Sequence, residues 1–237
     1  MSAGGSIGMV LDRALTIDLL DTALRIATEH RDDPAARQLL GVALKDLVTP
    51  QEAENKTKKV LTHVWVAPPV DARAMIEWAI GHQDQFPDRR ALHYGALLAT
   101  FPFFGSIAAA VGRQIRIDGA ADRRTVRTHA RVTFGEREFI DAGASKSLRT
   151  MRNLGILDGP QDGPFHVGAR PVTPACLSSW FLHALILTRQ VEYANVGDLT
   201  QAFELSFLEL DPNASPYPFL ELHAENGRSV AVASMRR

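Results

Sequence analysis

The stretch YGALLATFPFFGSIAAAVG, from Tyr94 to Gly112, runs for 19 positions without a charged residue. Apolar surface on this scale is driven out of water into either a bilayer or a protein core. The length is close to the roughly 20 residues that span a membrane as a helix. The composition argues the other way: Ala and Gly supply much of the stretch, and Pro102 stands near its middle. Proline lacks an N–H and its ring collides with the preceding turn, so a helix entering from Tyr94 stops at Phe101. The stretch therefore predicts two packed helices meeting at FPFF, with Phe101, Phe103 and Phe104 in the core and no membrane span.

The rest of the chain is punctuated in the same way. At 237 residues it is long enough for one large domain or two small ones. Thr16 is placed to cap IDLLDTALRIATEH, in which Ile17, Leu20, Ala23, Leu24 and Ala27 recur at helical spacing. Pro34 suits the first turn of the next helix. In TPQEAENKTKKVLTHVW, Thr49, Pro50 and Glu52 match N-cap, N1 and the far partner of a capping box. PPVDARAMIEWAIGH and PDRRALHYGALLATF read as two more helices, and Ser106 is placed to cap SIAAAVGRQIRI. DRRTVRTHARVTFG reads as a short polar helix, and ILDG to PFHVGARPV as a turn-rich hairpin. Thr173 and Pro174 open the apolar helix PACLSSWFLHALILTRQ, and FLELHAENGRSVAVAS alternates around Asn226-Gly227, a strong hairpin signal. The expected fold is mainly α. A helical bundle spans 1–103, a winged helix-turn-helix 104–173, and a C-terminal helix with a β-hairpin 174–237.

The N-terminus, MSAGGSIGMVLDR, has no basic region ahead of its short apolar run, so it does not read as a signal peptide. Cys176 is the single cysteine, which excludes an intramolecular disulfide and a cysteine-only zinc site. Its apolar surroundings suggest a small buried hydrophobe, and a reducing cytoplasm is the expected location.

The overall net charge of −1 conceals a segregation. Residues 1–112 hold 11 Lys and Arg against 13 Asp and Glu, a balance of −2. Residues 113–152 hold 10 against 5, a balance of +5, and residues 153–237 hold 5 against 9, a balance of −4. A basic middle inside an acidic chain points to a local anion-binding surface.

Within that middle, GASKSLRTMRNLGILDG (143–159) admits two readings. A phosphate-binding loop needs an upstream glycine, a Gly-Lys-Ser/Thr ending and a buried strand before it. Here Ser145 precedes Lys146 and FGEREFID is no such strand, which excludes the loop. As a helix at about 100° per residue, the segment separates cleanly into two faces. Ser145, Lys146, Arg149, Arg152 and Asn153 fall on one face, and Leu148, Met151 and Leu154 on the other. Gly155 then suits a helix end, and Ile156-Leu157 a strand. In a winged helix-turn-helix such a helix enters the major groove and its basic residues reach base edges. Arg123, Arg124, Arg127 and Arg131, on the preceding helix, would meet phosphates. His129 fits either a surface position beside phosphate or an ordinary satisfied histidine.

Signals for catalysis are missing. The eight histidines are scattered, with no pair at metal-ligand spacing. G-x-S-x-G occurs at residues 4–8, GGSIG, without a strand-to-helix pattern around it, and Ser106 likewise lacks the context of a nucleophile elbow. His183 sits among Trp180 and Leu187, as a core histidine would.

ENKTKKVLTHVW, RRALHYGALLATFPFFGSIAAAVGRQI and SKSLRTMRNLGILDG occur in an order that resembles the BrxA family, small accessory proteins of bacterial BREX phage-defence systems. The likeness touches roughly 100 of the 237 residues. It implies a non-enzymatic DNA-binding protein acting beside larger defence proteins, and it carries over only the helix face from Lys146 to Arg152. The expected function is non-catalytic binding of double-stranded DNA without cofactor or metal. The alternative is a winged-helix docking subunit of a multiprotein assembly that does not touch DNA.

Overall fold

In the computed structural model, which describes residues 10–31, 33–225 and 227–233, helix accounts for 60% and strand for 10%, so the fold is mainly helical. The start of MSAGGSIGMVLDR, through residue 9, and Asn226 of the C-terminal turn lie outside the described residues.

Five helices form the N-terminal bundle: α1 (Ile17–Glu29), α2 (Ala36–Leu44), α3 (Gln51–Leu61), α4 (Val70–Gly81) and α5 (Arg89–Thr100). Thr16 caps α1 as its sequence predicts, accepting a hydrogen bond from the Leu19 N–H. Leu20, Ala23, Leu24 and Ala27 are buried on one side of that helix. The predicted capping box of α3 does not form. Pro50 takes the N-cap position with no side-chain cap, and Glu52 reaches one turn forward to Lys56 at 2.6 Å. An ammonium at i+4 is a stronger partner for an exposed carboxylate than a backbone N–H behind it. Beyond Leu61 the helix widens into a π-helical turn, Thr62–Val66, which buries Val64 and Trp65.

The uncharged stretch is two helices, α5 and α6 (Pro102–Asp118), bent by 117° where they meet. Pro102 is at the first position of α6, where its missing N–H costs nothing. The helix therefore starts four residues ahead of Ser106, which lies within it and caps nothing. Phe101, Phe103 and Phe104 are fully buried at the bend. Among the described residues no single helix is long and apolar enough to cross a membrane.

α7 (Arg123–Phe134) and α8 (Glu138–Asn153) follow, then two short antiparallel strands, β1 (Leu157–Asp158) and β2 (His166–Val167). α9 (Ser178–Arg189) is buried along most of its length and packs on α4, α5 and α6. Gly95 makes the close crossing with α5 possible, since a Cβ there would lie 2.1 Å from the Trp180 ring. Cys176 is exposed, contrary to expectation. It sits in a 3-10 turn ahead of α9, where Leu177 takes the core position instead. A three-stranded antiparallel sheet closes the chain. β3 (Tyr193–Asn195) and β4 (Leu220–Glu225) flank β5 (Arg228–Ala233), and β4 and β5 form the predicted hairpin, with Glu225 opposite Arg228. One buried cluster runs from Leu11 to Ala231, so the core is continuous across the boundaries expected near 103 and 173.

Candidate nucleic-acid interface

α6, α7 and α8 pack against one another, and the amphipathic pattern of 143–159 decides which side of α8 faces them. Ile140, Ala144, Leu148 and Met151 are buried on that side. The opposite side presents Ser145, Lys146, Arg149, Arg152 and Asn153, the five residues that the helical angle groups together. Arg149 and Asn153 are exposed, and Ser145, Lys146 and Arg152 are half-buried.

This face does not look onto open solvent. It forms one wall of a cleft of about 460 Å³. Arg13, Thr16 and Leu19 at the start of α1 form a second wall, with Leu47, Val48 and Thr49 of the α2–α3 loop beside them. Arg123, Gln161 and Phe165 close the side nearest the β1–β2 hairpin. Two hydrogen bonds pin α8 to the N-terminal segment: the Leu15 N–H donates to Thr150 Oγ1 at 3.0 Å, and Asn153 Nδ2 donates to the Leu15 carbonyl at 2.8 Å. Asn153 is thus occupied in holding two parts of the chain together.

Among the described residues five cations line the cleft, namely Arg13, Arg123, Lys146, Arg149 and Arg152, and no Asp or Glu does. Arg123 is paired with Asp162 in the hairpin loop. Among the described residues the other four have no carboxylate within ion-pair distance. Arg13 is the cleft residue that the sequence does not mark: it stands beside Asp12 in an unremarkable segment, 133 positions ahead of Lys146.

The arginines of α7 divide. Arg127 Nη2 donates to Asp141 Oδ2 at 2.7 Å, and Arg131 Nε donates to Asp141 Oδ1 at 2.8 Å. Arg131 first and Arg127 second hold the Asp141 carboxyl down at about 2. These two arginines, expected at phosphates, fasten α7 to α8. Arg124 is exposed and has no ion-pair partner among the described residues. His129 is exposed on the same helix.

The hairpin is fixed to this unit through Ala121, in the turn between α6 and α7. Ala121 and Phe165 exchange both backbone hydrogen bonds, each 2.8 Å. Among the described residues no group of three His, Cys, Asp or Glu is placed to hold a metal ion. His183 is buried beside Tyr217, and burial pushes it down to about 4, the behaviour of a neutral core histidine.

Fold and site together define a mainly helical protein with a cationic cleft between its N-terminal bundle and a three-helix unit, lined by no carboxylate among the described residues. Compared with known proteins, the chain matches no family profile, no curated protein and no solved structure.

Proposed function

We propose that this protein binds double-stranded DNA without catalysing a reaction on it. The observation that carries the reading is the cation set along α8, Lys146, Arg149 and Arg152, joined by Arg13 across the cleft and, among the described residues, uncompensated by any lining carboxylate. Such a set attracts phosphate over a range limited by salt screening, and displacement of counterions from the duplex supplies the affinity.

The order of elements supports a winged helix-turn-helix as the vehicle. α6, α7 and α8 are followed by the β1–β2 hairpin, and Ala121 supplies a third, single-residue rung to it. A major groove about 12 Å wide admits a free helix, whereas α8 is flanked by residues 13–16 toward its C-terminal end. The Ser145–Arg149 portion is the part left to approach a groove, and the remaining cations suit the backbone. Phosphate contacts position a protein without reading sequence, so sequence preference should be weak. The resemblance to BrxA proteins adds the setting to this proposal: an accessory role beside larger phage-defence proteins in a bacterial cytoplasm.

A docking role is the second reading, and the last turn of α7 with the first turn of α8 favours it. Val132 is 81% exposed there and Phe139 46% exposed, side chains that water does not favour. Gel-shift titration of a duplex at two salt concentrations separates the readings. Arg149→Ala with Arg152→Ala should weaken binding and flatten the logarithmic salt dependence by about 2, close to 0.9 for each lost phosphate contact. Thermal stability should change little, because neither side chain holds an ion-pair partner among the described residues. Unaltered affinity and slope in the double variant would defeat the DNA reading. No duplex binding at low salt, with a protein partner retained on affinity purification, would install the docking one.

A further inference from the structure

The shape of the cleft raises a question that duplex binding leaves unanswered. A duplex is too wide to enter this space, a concavity of about 460 Å³ between two parts of the chain. That volume lies within the 300–1,000 Å³ typical of small-molecule sites. Its lining is two-sided: Arg13, Lys146, Arg149 and Arg152 supply positive charge, while Leu47 and Val48 supply apolar wall. Like charges gathered in a concavity repel one another, and folded proteins normally intersperse carboxylates to relieve this. Among the described residues none lines the space. An anion with several charges relieves the repulsion, and guanidinium forks match phosphate oxygens in pairs.

We propose that this cleft is a binding site for a small organic phosphate of nucleotide size. Its phosphates are held by Arg13, Lys146, Arg149 and Arg152, and its uncharged portion rests on Leu47 and Val48. Because Lys146, Arg149 and Arg152 are also the cations assigned to DNA, occupation of the cleft displaces the duplex; this second part rests on the DNA reading above. The chain is then a DNA binder released by a phosphorylated ligand, and the N-terminal segment is the wall that makes the site.

Calorimetric titration with adenosine triphosphate in the absence of divalent cations tests the site, with inorganic phosphate as the comparison. Saturable one-to-one binding of the triphosphate, at least tenfold tighter than inorganic phosphate, is expected. Arg149→Ala and Lys146→Ala should each weaken it by tenfold or more. Arg228→Ala, at the exposed start of β5, should leave it unchanged. No saturable binding at millimolar triphosphate, or equal binding in all three variants, overturns the site. A fluorescently labelled duplex then tests displacement: anisotropy should fall as triphosphate is added to the wild-type complex. A duplex that stays bound at saturating triphosphate overturns the competition. A duplex that never binds removes the DNA reading and the competition together, while the calorimetry still decides the site.

Discussion

Gly112 and Gly81 offer a matched pair in which one chemical change should move stability in opposite directions. Both residues are helical, Gly112 within α6 and Gly81 at the end of α4. Glycine in a helix costs about 1 kcal/mol relative to alanine, so each Gly→Ala change starts with a gain of that order. At Gly81 nothing lies within 4 Å of the position a Cβ would take, so the gain should survive. Gly81→Ala should stabilise the protein by about 0.5–1 kcal/mol. At Gly112 the same Cβ would lie 2.2 Å from the Phe203 carbonyl oxygen and 2.6 Å from Ser206 Oγ. The obstacle at Phe203 is backbone, and it cannot rotate away. It belongs to the 3-10 turn Phe203–Leu205, which is tethered by the Tyr94 hydroxyl on the Glu204 carbonyl at 2.6 Å and by Arg189 on the Glu204 carboxylate. Relieving the clash requires a shift of close to 1 Å between α6 and this turn. Overpacking costs typically about 1–3 kcal/mol, occasionally more, and the tethers place this case at the upper end. Gly112→Ala should therefore lose about 2 kcal/mol net, lowering Tm by roughly 4–8 °C in a chain of this size. Urea unfolding followed by far-ultraviolet circular dichroism measures both variants with the same slope. Wild-type stability in Gly112→Ala would refute the packing of α6 on the Phe203 turn, and with it the seating of the C-terminal segment on the three-helix unit.

Three further outcomes follow from the packing and the charges. Phe104→Ala should cost about 3–5 kcal/mol, since the ring is fully buried against Tyr94 at 5.8 Å; a midpoint shift below 1 kcal/mol in urea would contradict a core position. Asp141→Asn should cost about 1–2 kcal/mol by loosening Arg127 and Arg131, yet strengthen duplex binding and steepen its salt dependence, because two cations lose their internal counter-charge. Gel shifts on that variant showing weaker binding would separate α7 from the DNA surface. His183 is held neutral by burial, with its folded pKa at about 4 against 6.5 for the free side chain. The unfolded chain therefore binds the extra proton first, so stability should fall as pH drops from about 6.5 toward 4, by roughly 3 kcal/mol at the limit. Urea midpoints for His183→Leu should show a shallower acid slope, and an unchanged slope would exclude His183 as its source.

Local chemistry explains what was legible in the sequence. Pro102 dictates a break whatever surrounds it, because its ring and missing N–H act within one turn, and the 117° bend follows. The two faces of α8 were readable from spacing because burial is set by helical angle, and Leu148 and Met151 are buried where the period places them. Asn226-Gly227 marks the β4–β5 hairpin for a similar reason, with Gly227 at a φ of 76°. What spacing alone does not reveal has a common origin in competition. Glu52 had two possible partners at one turn's distance, and only the built helix shows Lys56 taking it. Cys176 looked apolar by its neighbours, but a 3-10 turn rotates it outward. The pairing of Arg127 and Arg131 with Asp141, 14 and 10 positions along the chain, exists only once α8 packs on α7. The cleft itself is wholly tertiary. Arg13 and Lys146 share it because Leu15 bonds to Thr150 and Asn153 across more than 130 residues of sequence, and no periodicity or motif carries information over that distance.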